Sequence, residues 1–327
     1  MEIEPGLPVL LEIHDLEVAF PLPRGKTHHA VVDMSFSVYR GETLGLVGES
    51  GCGKSSLARA MMQLPPPTAG KVVLCGEDLT RVSGQRLRQL RPKFQMVFQN
   101  SLSSLNPRRK IGDTLAIPLT INQKTKISNK KQQILEMMAL VGLDPDLFHR
   151  RPHELSGGQC QRVQIARALM TGPDLIILDE PVSSLDASVQ AKILNLLEKL
   201  RTECGLTLFF ISHDLALVKN VCDRVMVMYG GRLCELAASS SLYKAPAHPY
   251  TRILMDAVPR PNPFDPPPSQ FLGPEEAAPA RFSGFGCRFS PRCPRARSLC
   301  EKKRPGLEKV GQNHWAACHF TGPSRLA

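Results

Sequence analysis

Residues 48–55 read GESGCGKS, the composition and spacing of a loop that cradles phosphate. Its three glycines, Gly48, Gly51 and Gly53, let the backbone curl so that N–H groups turn inward toward phosphate oxygens. Lys54 would bring a point charge to the outer phosphates, and the Ser55 hydroxyl can ligate magnesium. The loop follows a short apolar run, TLGLV (43–47), and precedes SSLARAMMQL, which has helical composition. That order predicts a strand–loop–helix unit whose helix adds its positive N-terminal end to the site. The candidate phosphate-binding set is Gly48, Glu49, Ser50, Gly51, Cys52, Gly53, Lys54, Ser55 and Ser56. A second stretch, LIILDE (175–180), reads as a buried strand ending in two carboxylates. Asp179 would hold magnesium through water or Ser55, and Glu180 would orient or deprotonate an attacking water. Alone such a pair could equally start a loop; the phosphate loop upstream gives it its chemical meaning.

Between these motifs lies LSGGQ (155–159), which resembles the signature of ABC ATPases. Physically it is a helix start: Ser156 caps, Gly157 and Gly158 expose N–H groups, and Gln159 stands in the first turn. The resemblance implies that this end faces the γ-phosphate of ATP held by a second subunit, so neither subunit has a complete site until two close together. Cys160 departs from the charged or amide residue common there in that family. Other elements follow in family order. Gln99 resembles the residue that contacts magnesium and water and links the nucleotide to a helical subdomain. SSLDA (183–187), with Asp186, resembles the segment through which two subunits touch. His213 in FFISHD matches the switch histidine that reaches the γ-phosphate. Phe20 fits the aromatic that stacks on adenine, or is a core residue at a strand end.

SLNPR (104–108) and HPYT (248–251) resemble the oligopeptide/dipeptide importer branch, which includes nickel and metallophore importers. The resemblance implies two membrane-spanning permease subunits, an external solute-binding protein and a second ATPase subunit, often a different chain. It also implies a peripheral location on the cytoplasmic face of the cell membrane. Peptide is the expected cargo; a nickel or metallophore importer and a soluble non-transport ABC ATPase are the alternatives. Near the C-terminus, Cys287, Cys293, Cys300 and Cys318 have spacings C-x5-C-x6-C-x17-C. Four thiols in a segment too small for much of a core suggest a metal staple. Spacing alone leaves zinc, an iron–sulfur cluster and free thiols open, since no C-x2-C pair is present. The family resemblance implies a 4Fe–4S cluster. The core's motifs end before this segment, so loss of the cysteines is expected to spare the ATPase.

The elements that must position these residues alternate in a readable way. Strand-like runs at 9–20 and 31–39 precede the phosphate loop. Helical spacing dominates 100–173, and strand–helix alternation resumes with LIILDEP, VQAKILNLLEKLR and LTLFFISHD. The expected class is α/β: a P-loop domain with a mainly parallel sheet, an antiparallel β portion and a helical subdomain, plus a small cysteine-rich extension. The expected boundaries are 1–257 for the ATPase domain, with the helical subdomain at about 100–173, a proline-rich linker at 258–284 and the extension at 285–320. Residues 259–279 contain eight prolines, a composition of extended linker. The longest apolar runs, such as 175–178 and 208–211, are far short of the ~20 residues of a membrane helix, so a membrane role is expected to come through partners. The N-terminus does not read as a signal peptide. Of the formal charge of +11, ten Lys/Arg against two Asp/Glu place +8 in residues 281–327. The rest of the chain is close to neutral, and no nucleic-acid partner is expected.

Overall fold

The computed structural model describes residues 8–82, 84–99, 103–121, 129–257 and 285–321. The proline-rich linker at 258–284 lies outside them. The strands, in chain order, are β1 (Val9–Leu22), β2 (Lys26–Tyr39), β3 (Thr43–Val47), β4 (Ala69–Leu74), β5 (Glu77–Asp78), β6 (Phe94–Val97), β7 (Leu175–Asp179), β8 (Thr207–Ser212), β9 (Arg224–Tyr229), β10 (Arg232–Ala238), β11 (Glu308–Gly311) and β12 (His314–Ala316). The α-helices are α1 (Lys54–Met61), α2 (Gly84–Leu90), α3 (Ile111–Ile121), α4 (Lys130–Leu140), α5 (Gly157–Leu169), α6 (Ala187–Cys204), α7 (Leu215–Val221), α8 (Ser239–Lys244), α9 (Pro249–Asp256) and α10 (Ser298–Lys302). Two compact units result: one from residues up to 38, 43–76 and from 212 onward, the other from 39–42 and 77–211.

In the first unit β3 pairs in parallel with β9, Val47 opposite Val227. All five residues of β3 are buried, as a parallel strand covered on both faces requires. β10 continues antiparallel from β9, and β12 adds antiparallel to β10, with Leu236 opposite Trp315. β1 pairs antiparallel with β4, Leu11 opposite Leu74, which is the antiparallel portion expected near the N-terminus. In the second unit β6, β7 and β8 form a parallel run. The stretch read as helical carries α3, α4 and α5. Within it Ile111, Leu115, Ile134, Met138, Val163 and Ile165 are buried, the apolar stripes that bind such helices together.

The C-terminal extension is built into the same unit as the phosphate loop. Besides the β10–β12 pairing, the buried Glu235 carboxylate on β10 accepts from His314 Nε2 at 2.6 Å, or shares its proton. It also accepts from the Ala247 N–H at 2.7 Å, the His248 N–H at 2.8 Å and the Thr251 hydroxyl at 2.5 Å. A fully buried carboxylate needs such a set of partners. The expectation that the ATPase can ignore its extension rested on motif order in the chain. The paired strands and this shared carboxylate tie the extension to β10 of that domain.

His248 caps α9, its Nδ1 accepting from the Tyr250 N–H at 3.1 Å. Burial pushes its imidazole from 6.5 down to about 4, against the pull of Glu235. Between roughly pH 6.5 and 4 the unfolded chain therefore takes up a proton that the folded chain does not, and stability is lost as the pH falls through that window. From pH 7 to pH 5 the loss should be about 2 kcal/mol. His248→Asn keeps a capping acceptor and removes the titration, so denaturant unfolding at the two pH values should show a correspondingly smaller difference. An unchanged pH dependence in this variant would contradict the assignment.

Candidate functional site

The phosphate loop leaves β3 and enters α1, as the sequence order requires. Gly53 caps α1 with φ +109°, and a Cβ there would lie 2.1 Å from the Ala30 carbonyl oxygen. At Gly48 a Cβ would lie 2.2 Å from the Met228 carbonyl oxygen. Both positions thus exclude any side chain on backbone grounds. Lys54 is buried, and its ammonium donates to the carbonyls of Gly48 at 2.8 Å and Glu49 at 3.0 Å. These bonds bend the loop around the lysine. The Glu49 N–H donates to the Tyr250 hydroxyl at 3.0 Å. Cys52 is buried in the loop, and that burial raises its thiol pKa despite the nearby Lys54. Phe20 is half-buried near the end of β1.

In the second unit strand register aligns the candidate residues Gln99 and Glu180. Val97 of β6 stands opposite Leu178 of β7, so Gln99 and Glu180 each lie two residues beyond the same rung. Gln99 Nε2 donates to Glu180 Oε2 at 2.8 Å. Asp179, the last residue of β7, is 3% exposed. Glu180 has φ +48°, a left-handed conformation that costs a non-glycine residue about 1–3 kcal/mol. Its N–H donates to the Ile211 carbonyl at 3.0 Å, which continues the β7–β8 ladder and holds the strained residue in place.

The LSGGQ segment forms a complete capping box. Ser156 Oγ accepts from the Gln159 N–H at 3.3 Å, and Gln159 Oε1 accepts from the Ser156 N–H at 2.9 Å. Gly158 has no room for a Cβ, which would meet Val189 Cγ1 at 2.5 Å. Ser156 and Gly157 are exposed, as are Ser183 and Asp186 before α6. Cys160 is buried against the Pro152 carbonyl; the site calls for a small apolar group rather than a charge. In the first unit His213 is exposed between two fixed points. Ser212 Oγ accepts from the Asp214 N–H, and Asp214 caps α7 through the N–H groups of Ala216 and Leu217.

The four C-terminal cysteines line one small cavity together with Phe289 and His248. Burial raises Cys287 and Cys318 and pushes Cys293 up to about 11, and the thiols raise one another as well. Among the described residues no group of three or more His, Cys, Asp or Glu side chains is drawn together as a site for a metal ion. Beside the thiols, a cavity of about 430 Å³ is lined by Arg232, Arg288, Arg304 and Cys287, with Asp33 as its carboxylate.

Residues 31–183 match the ABC transporter family model, and residues 234–300 match that of the oligopeptide/dipeptide transporter C-terminal region. The oligopeptide transport ATP-binding protein OppF of Salmonella typhimurium is 48% identical over 310 residues, covering 92% of this chain and 93% of that protein. The chain belongs to the ABC transporter ATP-binding subunits of the oligopeptide/dipeptide branch. AppF of Bacillus subtilis, also named an oligopeptide transport ATP-binding protein, is 42% identical over 336 residues, covering 95% of this chain and 97% of the relative. Among solved structures, a dimeric ATP-binding cassette in a post-hydrolysis state with ADP and Pi superposes with TM-score 0.65 and 26% identity, over 70% of this chain and 99% of that one. The cassette cbiO1 from Clostridium perfringens gives 0.64 and 26%, over 72% and 91%. The ATPase subunit therefore has the cassette fold and hydrolyses ATP.

The sequence gives no sign of the contacts of Tyr250 and Glu235. Tyr250 lies inside the family marker HPYT, and its bond to the phosphate loop spans 201 positions. The loop itself offers a graded test. Gly53→Ala places a methyl group against a backbone oxygen and should weaken ATP binding more than ~10-fold. Gly51→Ala meets nothing within 4 Å and carries only the left-handed backbone penalty of about 1 kcal/mol. Calorimetric titration should rank them in that order, and equal losses would contradict the packing account.

Proposed function

We propose that this chain is one of two ATPase subunits that together power peptide import through a membrane ABC transporter. The observation that carries the reading is the division of the ATP apparatus. Lys54 on its loop and the Gln99–Glu180 pair are built into this chain. The capped, exposed start of α5 has the form of a phosphate-facing helix end for a second chain. The relatives named above are oligopeptide transport proteins, which favours peptide over nickel, a metallophore or a non-transport role.

In this mechanism residues 48–56 cradle the phosphates of ATP, and Lys54 exchanges its loop carbonyls for phosphate oxygens. Phe20 supports the adenine. Ser55, Asp179 and Gln99 are the oxygen donors for magnesium, a fit to its preference for hard ligands; the ion supplies charge neutralisation on the phosphates when bound. Glu180, aimed by Gln99 and by its own strained backbone, accepts the proton of the attacking water, and His213 reaches the γ-phosphate. Ser156, Gly157, Gly158 and Gln159 complete the site of the partner ATPase, a homologous and different chain. Closure of the pair turns the permease subunits that the helical segment grips, and an external binding protein delivers the peptide. Among the described residues no helix is long and apolar enough to cross a membrane. On this reading the chain sits peripherally on the cytoplasmic face, with no nucleic-acid partner. The boundaries 1–257, 258–284 and 285–320 describe its functional segments.

For the four cysteines the reading is a 4Fe–4S cluster, with zinc as the alternative. All four thiols line one small cavity, which suits a single bound centre. Raised free thiols need a bound metal centre to stay ionised. The neighbouring arginines suit a centre of net negative charge.

Glu180→Gln should bind ATP normally, lose turnover by ~10²-fold or more and trap an ATP-bound pair on gel filtration. Near-normal turnover in the assembled transporter, with the partner's site also disabled, would overturn the role of Glu180. Protein purified without oxygen should be brown with about four iron per chain, and bleached by Ser at any one of Cys287, Cys293, Cys300 or Cys318. Colourless protein containing zinc would defeat the cluster reading.

A further inference from the structure

Glu49 is the only acidic residue in the stretch 48–56. A carboxylate beside a site for a polyanion opposes binding unless something neutralises it. Here the neutralising group comes from the C-terminal extension. Arg292 grips Glu49 with both ends of its guanidinium, Nη1 to Oε2 at 2.8 Å and Nη2 to Oε1 at 3.0 Å. This fork is the strongest geometry available to such a pair.

Arg292 is itself held from two sides. Its guanidinium lies over the Tyr229 ring, 5.7 Å from the centroid. Its N–H donates to the Phe289 carbonyl at 3.0 Å, within a run of tight turns from Cys287 to Cys293. Phe289 anchors those turns, buried edge-on against Tyr229 at 5.1 Å and tilted against Tyr250 at 5.3 Å. Tyr250 in turn accepts the Glu49 N–H. Backbone and side chain of Glu49 are thus both tied to one cluster, and that cluster is seated by the cysteine-bearing segment.

We propose that Arg292 is a positioning residue for ATP binding: it cancels the charge of Glu49 and fixes the first half of the phosphate loop, so that the C-terminal extension sets the affinity of the ATP site. The proposal rests on the reading of residues 48–56 as that loop. Since both partners are partly exposed, the effect is modest in size. Arg292→Ala should weaken ATP–magnesium binding to the full chain about fivefold, and in the assembled transporter the change should fall on KM for ATP rather than kcat. Arg292→Lys should lie between the two, having the charge without the fork. Arg292→Ala combined with Glu49→Gln should recover to within about twofold of the starting affinity, because the carboxylate to be cancelled is gone.

The chain's one tryptophan, Trp315, is buried on β12, so its emission reports whether the extension stays folded. Unchanged affinity in Arg292→Ala would overturn the proposal. So would a loss that Glu49→Gln does not restore while Trp315 emission is unaltered. If Arg292→Ala disturbs that emission, the exchanged pair Arg292→Glu with Glu49→Arg decides: recovered affinity supports the proposal, and failure to recover it counts against it. Lys54→Ala serves as the control. ATP binding that survived Lys54→Ala would instead overturn the assignment of the phosphate loop, and this proposal with it.

Discussion

Two backbone carbonyls, those of Met228 and Ala30, pass so close to the phosphate loop that positions 48 and 53 admit no side chain. This close approach follows from the sheet. β3 and β9 are paired in parallel up to Val47 and Val227, so the chain leaving β3 must turn at once beneath the next residue of β9. Glycine permits the turn, the turn delivers Lys54 to the mouth of the loop, and α1 begins on the residue after the αL cap. The proposed phosphate cradle depends on that geometry being set by backbone atoms, which move little.

The candidate pair Gln99 and Glu180 in the other unit is positioned by the same logic. A shared rung of β6 and β7 sends Gln99 and Glu180 out side by side. The left-handed conformation of Glu180 is maintained by its bond to Ile211. Strain held this way is a known property of catalytic positions. It also gives the carboxylate pair at this strand end, unremarkable as a sequence, the fixed geometry on which its proposed role rests.

What was legible in the sequence was what local physics encodes. The loop glycines, the buried LIILD run and the Ser156 helix cap each announce themselves within a few residues, and each is found as expected. The family markers extended that reading across nearly the whole chain. Contacts between distant segments were not legible. Glu49 and Arg292 are 243 positions apart, and the only local sign was an arginine among many in a basic segment. Glu235 sits in RLCELAA, a run that gives no hint of a buried carboxylate serving four partners. For the same reason the extension read as a detachable module, whereas its strand β12 continues the sheet from β10.

These links make one unit of phosphate loop, HPYT segment and cysteine-bearing extension, and the proposed work of the whole is to turn ATP hydrolysis into peptide movement. The most direct measurement is uptake of a labelled peptide by vesicles holding this chain, its partner ATPase and the permeases, with binding protein outside and ATP inside. Peptide should accumulate with ATP hydrolysis, and Lys54→Ala in this chain should abolish accumulation. Undiminished peptide uptake with Lys54→Ala, or accumulation of nickel without peptide, would contradict the account.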